Sequence, residues 1–258
     1  MEPLRHWLEA DGALLRLRLA RPKANIVDAG MIAALHGALL AHAGSSADGG
    51  RLRGVLLDAE GPHFSFGASV EEHLPASCAA MLHSLHALIL AMLDFHAPIL
   101  VAIRGQCLGG GLEVALAASR LFAAPDAQFG QPEMKLGVFA PAASVLLPYR
   151  VSQPQAEDLL FSGRSVDAAE ARQMGLVQAL ADDPQAAALA WFGEHLQGRS
   201  AASLALALQA ARGAMRREVR QRLAEVETLY LERLMATHDA NEGLGAFLAK
   251  RTPHWEHR

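Results

Sequence analysis

Three consecutive glycines, Gly109-Gly110-Gly111, stand between an apolar strand-like run, Pro98-Ile-Leu-Val-Ala-Ile103, and an Ala-rich helical pattern from Leu112 to Ala118. This junction constrains the chain more than any other stretch. Glycine lets a backbone come close to another group because no Cβ intervenes. The first amides of a helix have no intrahelical acceptor, and the helix dipole adds partial positive charge there. An N–H at Gly110 is thus suited to hold a negative oxygen, and Glu113, one turn later, can carry a proton. A carbonyl that becomes an enolate needs both. Such turns also bind phosphates or serve close packing. The spacing does not fit a dinucleotide fingerprint, however, and no Gly-Lys-Ser/Thr follows.

Two other stretches carry chemistry. His63-Phe-Ser-Phe-Gly-Ala68-Ser69 follows the apolar run Gly54-Val-Leu-Leu57, with Gly67 free to adopt an unusual backbone angle. Together with Gly110 it can aim two N–H groups at one oxygen, which makes an oxyanion hole; it can equally be an ordinary strand-to-helix loop. Phe129-Gly-Gln-Pro-Glu133-Met-Lys-Leu-Gly137 places a second carboxylate twenty residues after Glu113. Two carboxylates around one water can divide acid and base roles when their environments separate their pKa values. Either glutamate can instead sit in a surface ion pair.

The surrounding pattern is α/β. Leu14-Leu-Arg-Leu-Arg-Leu19 alternates as a half-exposed strand does. Asp28 caps a predicted helix reaching about Ala43, with Met31, Leu35 and Leu39 on one face. A Gly/Ser loop over residues 44–50 ends it, and Gly54–Leu57 reads as a buried strand. A helix is expected over about Ala79–Leu93. Strands alternating with helices indicate an α/β core. Beyond Pro141 the pattern is almost purely helical, broken near Pro154, Pro184 and Ser200, with a long Arg- and Leu-rich helix after Ser200. A composition shift near Gly198 divides the chain into a core over 1–198 and a helical region over 199–258, too small for its own core.

With 258 residues, 52% of them hydrophobic, the chain can bury one large core. A net charge of −4 gives no general attraction to nucleic acid. Two cysteines, Cys78 and Cys107, exclude a disulfide framework. The N-terminus shows no cationic-then-apolar leader, and the most apolar stretch, Leu85 to Leu93, is too short to span a bilayer. A cytoplasmic location is the expectation. Twelve scattered histidines form no ligand-spaced pair, so no metal site is expected. Cys107 reads as a small core residue and Trp255 as an anchor for the C-terminus; His73 and Glu72 read as loop-surface residues bordering a pocket at most.

Phe64-Ser-Phe-Gly-Ala68, Gly105 to Glu113 and Phe129-Gly-Gln-Pro-Glu133 resemble, in order and spacing, the signatures of the crotonase (enoyl-CoA hydratase) superfamily. Arg21-Pro-Lys-Ala-Asn25 and Glu242-Gly-Leu-Gly-Ala-Phe-Leu-Ala-Lys-Arg251 are similar to its first and last motifs, so the resemblance spans nearly the whole chain. It implies a spiral of ββα units with a C-terminal helical trimerisation region, assembled as a homo-oligomer, trimer or hexamer. It places Ala68 and Gly110 as amide donors to a thioester oxygen, and Glu113 and Glu133 as the pair that holds and activates water. Lys23, Ala24, Ser65 and Phe66 fall where CoA lies; Phe247 and Lys250 match positions that reach a CoA on an adjacent subunit. No cofactor is implied, CoA being part of the acyl-CoA substrate.

Two departures refine this expectation. Ser69 stands where the family often has Asp, and Gly137-Val-Phe-Ala-Pro-Ala-Ala-Ser144 replaces its usual Gly-rich segment lining the acyl pocket. With Ala24-Asn-Ile-Val-Asp28, these point to the family's hydratases of cyclic conjugated dienoyl thioesters rather than of plain straight chains. The rivals are a general enoyl-CoA hydratase, an isomerase or C–C bond lyase, for which one acid often suffices, a non-catalytic CoA-ester binder, or an RNA binder using Arg212, Arg216, Arg217, Arg220 and Arg222. Retention of both glutamates favours hydration, and the acidic total favours a solvated or subunit-facing arginine face.

Overall fold

The computed structural model describes residues 2–43 and 51–258; the loop expected over 44–50 lies outside the described residues. A six-stranded sheet runs in the order β1-β2-β3-β4-β6-β9, with β1 (Leu4–Glu9) antiparallel to β2 (Leu14–Leu19) and the remainder parallel. Its other strands are β3 (Gly54–Ala59), β4 (Ile99–Ile103), β6 (Arg120–Ala123) and β9 (Ala179–Leu180). A second sheet joins β5 (Gln106–Leu108), β7 (Gln128–Gly130) and β8 (Ser165–Asp167). The helical reading beyond Pro141 therefore missed β8 and β9, which are too short to show a period of two.

Helix α1 (Ala29–Ala41) starts where expected, its Asp28 Oδ1 accepting from Met31 N at 2.8 Å. It packs with α2 (Cys78–Asp94) over one face of the large sheet, where Leu15, Leu17, Val55, Leu57, Val101 and Ile103 point. The opposite face, carrying Leu14, Leu56, Leu100 and Phe122, is covered by Ala188, Phe192 and Leu196 at α7 (Pro184–His195). With both faces covered, the central strands read as continuous apolar runs rather than alternating ones.

The alternation in β2 misleads for a related reason. Arg16 is buried rather than solvated: its Nη2 donates to Asp58 at 2.6 Å, and Arg18 binds the same carboxylate through Nε and Nη2 at 2.6 and 2.8 Å. Trp7 lies under both guanidinium groups, at 5.1 and 5.3 Å. Removing one member of a buried pair strands its partner. Asp58→Ala is therefore expected to lower the unfolding free energy by about 3–5 kcal/mol, measured by urea denaturation; a loss under about 1 kcal/mol contradicts this reading.

Between these layers and the C-terminus lie α3 (Gly109–Leu116), α4 (Pro141–Leu146), α5 (Gln153–Ser162) and α6 (Ala168–Gln173). Helix α8 (Ala201–Thr228) begins at Ser200, whose hydroxyl accepts from Ser203 N. It rests on the core through Val219 and Leu223. Arg216 and Arg220 bind Asp94 at 2.6 Å each, and Arg212 donates to Ala118 O and Ser119 Oγ. Three of the five arginines considered for RNA are thus engaged within the chain. A single π-helical turn (Leu229–Leu234) leads to α9 (His238–Leu248), which folds back over the 3₁₀ turn Pro132–Leu136.

Candidate active site

The segment 64–68 is threaded between two others. Ser65 N donates to Gln106 O and Leu108 N to Ser65 O on one side; Phe66 N donates to Ala24 O and Val27 N to Gly67 O on the other. Asn25, fully buried, locks this arrangement by donating from Nδ2 to Glu60 O and His63 O at 3.0 Å each. The Ser65 hydroxyl donates to Asn25 O at 2.8 Å and accepts from Gly67 N at 3.1 Å. Gly111 is needed for this fit, since a Cβ there would meet the Ser65 side chain at 2.5 Å.

Clamped this way, Gly67 turns through a φ of +110° and sets Ala68 against the start of α3. A Cβ on Gly110 would lie 3.1 Å from Ala68 N and 3.0 Å from Ala68 Cβ, so the two backbones are in contact. Gly110 is the second residue of α3, within the first turn that leaves amides without intrahelical acceptors. Ala68 N donates to no described backbone group. The sequence thus brings two backbone donors side by side at a helix N-terminus.

Glu113 extends from the same short helix into the interior and accepts from Ala143 N at 2.9 Å. Burial pushes its carboxyl up to about 7, opposed by the amides of Ala143 and Ala142. Glu133 sits on the 3₁₀ turn, half-buried, beside Gly109, where a Cβ would come within 2.6 Å of Glu133 Oε1. In the amide orientation that satisfies both groups, buried Gln131 donates to Glu133 Oε1 and Oε2 at 3.1 and 3.0 Å. Burial, then the neighbouring charge of Glu113, raises Glu133 to about 8. Near neutral pH the pair therefore keeps a proton to give and a carboxylate to receive one.

These shifts carry a stability prediction. A carboxyl whose pKa rises on folding holds its proton more tightly in the native state. The stability it contributes below the unfolded value of 4.5 is lost as pH climbs through about 7 to 8. Glu113→Gln and Glu133→Gln remove the buried charge, so each should raise Tm more at pH 8.5 than at pH 5. Thermal melts at the two pH values check this, and equal shifts at both would contradict it.

A cavity of about 370 Å³ opens beside these groups, lined by Phe66, Gly67, Ala68, Gly109 and Glu133 and by apolar side chains including Val70, Leu136, Val138 and Leu244. Glu113 lies behind this wall rather than on it. The unusual segment after Glu133 takes part twice: Val138 lines the cavity, and the amides of Ala142 and Ala143 face Glu113.

The residues expected at CoA divide. Phe66 is exposed and lines the cavity mouth; Ala24 supports it through the backbone. Lys23 is exposed outside the cavity lining. Ser65 is fully enclosed, so its hydroxyl holds the loop and does not reach a ligand. Phe247 lines the cavity of its own chain, because α9 folds back on its own core; Lys250 is exposed just beyond.

His73, read as a loop-surface residue, lines the cavity; its Nδ1 donates to Ser69 O at 2.7 Å, and burial pulls its pKa below the ordinary value. Glu72 turns away to accept from Ala29 N. Cys107 is enclosed in the main core, as read, and Trp255 packs against Gly137 and Gly243. Sequence reasoning passed over Leu244 and Tyr230 as neighbours of the cavity, since each packs with Val138 only when segments about a hundred residues apart converge.

The chain matches the family model "Enoyl-CoA hydratase/isomerase" over residues 9–258. It is 65% identical over 256 residues to cyclohexa-1,5-dienecarbonyl-CoA hydratase of Thauera aromatica, covering 99% of this chain and 98% of that protein. It is 35% identical over 202 residues to 2,3-dehydroadipyl-CoA hydratase of Escherichia coli K12, covering 76% and 77%. Among solved structures, the enoyl-CoA hydratase/isomerase of Pseudoalteromonas atlantica T6c superposes with a TM-score of 0.85 at 29% identity, covering 98% of this chain and 99% of that one. A glycine-built pair of amides, two glutamates of which Glu113 is buried, and an apolar cavity meet in a chain with these relatives: it belongs to the enoyl-CoA hydratase/isomerase family.

Proposed function

We propose that this protein is a hydro-lyase that adds water to cyclohexa-1,5-diene-1-carbonyl-CoA, giving 6-hydroxycyclohex-1-ene-1-carbonyl-CoA in the breakdown of aromatic acids. The observation that carries this reading is the placement of two glutamates, Glu113 and Glu133, beside two backbone donors. The likeness to the Thauera hydratase supplies the acyl group. The thioester oxygen accepts from Ala68 N and Gly110 N. Glu113 and Glu133 hold a water whose oxygen bonds to the diene terminus β to the carbonyl as a carboxylate takes its proton. The electron pair moves onto the thioester oxygen as a dienolate, which the two amides stabilise. Collapse of the dienolate draws a proton to the other diene terminus. Glu133, on the cavity wall, is placed to deliver it.

No electrons leave or enter the substrate, so the reaction uses no cofactor beyond the CoA that the substrate carries. Phe66, Ala24 and Lys23 mark the CoA side of the cavity, with Phe247 and Lys250 closing it from α9. The helical region 199–258 is the assembly surface: α8 buries only Val219 and Leu223 against its own core and leaves Leu206 largely exposed, which suits packing in a homotrimer or hexamer. Two unpaired buried thiols fit a reducing cytoplasm, and no described helix is long and apolar enough to cross a membrane.

Incubation with the cyclic diene in D₂O tests the reaction class. The expected product has gained one oxygen and one carbon-bound deuterium. Deuterium incorporation without oxygen would make the protein an isomerase.

A further inference from the structure

One buried polar group left unused by the hydration mechanism is the hydroxyl of Tyr230. Its side chain is fully enclosed, and its oxygen has no hydrogen-bond partner among the described residues. Leaving a buried hydroxyl unpaired is costly, and phenylalanine would fill the same space without that cost. The ring belongs to the apolar cluster of Cys78, Met81, Leu82, Val138 and Leu244; the last two also line the cavity. Phe139, from the segment that departs from the family pattern, meets the ring edge to face at 5.2 Å. Burial, then Cys78, Glu133 and Glu113, push the phenol well above its ordinary range. The phenol thus stays protonated, a donor, across the working pH range. Tyr230 also sits in the π-helical turn Leu229–Leu234, a feature that recurs inside helices at functional sites.

We propose that Tyr230 is a third oxygen-holding residue, whose O–H donates to the oxygen being added to the ring at the inner end of the cavity. The carboxylates can only accept from that water when ionised. A neutral phenol supplies the complementary donor, turns the oxygen's remaining lone pair toward the diene terminus, and holds the hydroxyl of the product. This role rests on the hydration reading above.

Tyr230→Phe tests it. The expected result is a fall in kcat of about 10- to 100-fold, with KM for the thioester within about threefold and Tm unchanged or higher. A purely structural tyrosine predicts kcat within about twofold whatever the Tm does, and that result overturns the proposal. Wild-type protein assayed in parallel separates the two questions: no water addition by wild type defeats the hydration reading itself, whatever the variant does.

A second measurement avoids the variant. The chain has two tyrosines, so the Tyr149→Phe protein labelled with 3-fluorotyrosine carries one fluorine, at Tyr230. Its resonance should move on binding 6-hydroxycyclohex-1-ene-1-carbonyl-CoA and much less with cyclohex-1-ene-1-carbonyl-CoA, which lacks the hydroxyl. Equal movement with both would also overturn the role.

Discussion

Glu133→Gln is expected to lower kcat for hydration by about 10²–10⁴-fold, with binding of the CoA ester retained. Glutamine keeps the shape and the bond to Gln131 but can neither accept nor deliver a proton. The loss should appear in kcat far more than in KM, because the carboxyl acts on the moving proton and not on the CoA moiety. Glu113→Gln should fall in the same range, its amide oxygen still accepting from Ala143 N. The double variant should lose much less than the product of the single losses, since the two carboxyls act as one unit around one water. In the wild type, kcat should rise and fall about an optimum near pH 7 to 8, where the pair holds one proton. Steady-state kinetics over that range checks both statements. Near-normal turnover in both single variants contradicts the two-carboxylate account.

Gly110→Ala is expected to cost about 10²–10³-fold in kcat, with a loss of stability of about 1–3 kcal/mol. The added methyl would sit 3.0 Å from Ala68 Cβ and 3.1 Å from Ala68 N, and so intrude between the two amides where the thioester oxygen belongs. Alanine is otherwise a better helix former than glycine, so the fold should tolerate it. Gly111→Ala provides the contrast. Its methyl would collide with Ser65 at 2.5 Å, inside the buried clamp that sets the loop, and should lower Tm severely. Rates and melts of the two variants together separate a lost oxyanion hole from a lost fold. Normal turnover by Gly110→Ala would remove the amide pair from the mechanism.

The parts of the site that could be read from sequence are those built by short-range rules. The glycine run predicts a close approach at a helix start, and α3 begins at Gly109. Asp28 predicts a cap, and its carboxylate accepts from Met31 N. Motif spacing brings Glu113 and Glu133 to adjoining positions because each follows a strand, β5 or β7, of one small sheet. What stayed hidden depends on distant chain. Arg16 and Arg18 look solvated until Asp58 and Trp7 are placed around them. Ser65 looks like a ligand contact until Asn25 and Gly111 close over it. His73 joins the cavity, and Tyr230 its inner apolar cluster, only when the turn after Val70 and the chain after α8 converge on it. Phe247 lines its own chain's cavity because Gly243 lets α9 lie flat against Leu136, where a Cβ would collide with the Leu136 carbonyl.

The most direct test of the central claim compares kcat/KM for water addition to cyclohexa-1,5-diene-1-carbonyl-CoA and to crotonyl-CoA, with the product followed by mass. In the proposed reading, the apolar cavity walled by Val70, Leu136, Val138 and Leu244 takes the acyl ring. Wild-type protein should favour the cyclic diene by about 100-fold or more, with one water gained per thioester. Preference for crotonyl-CoA, or no water gained by either, would contradict the account.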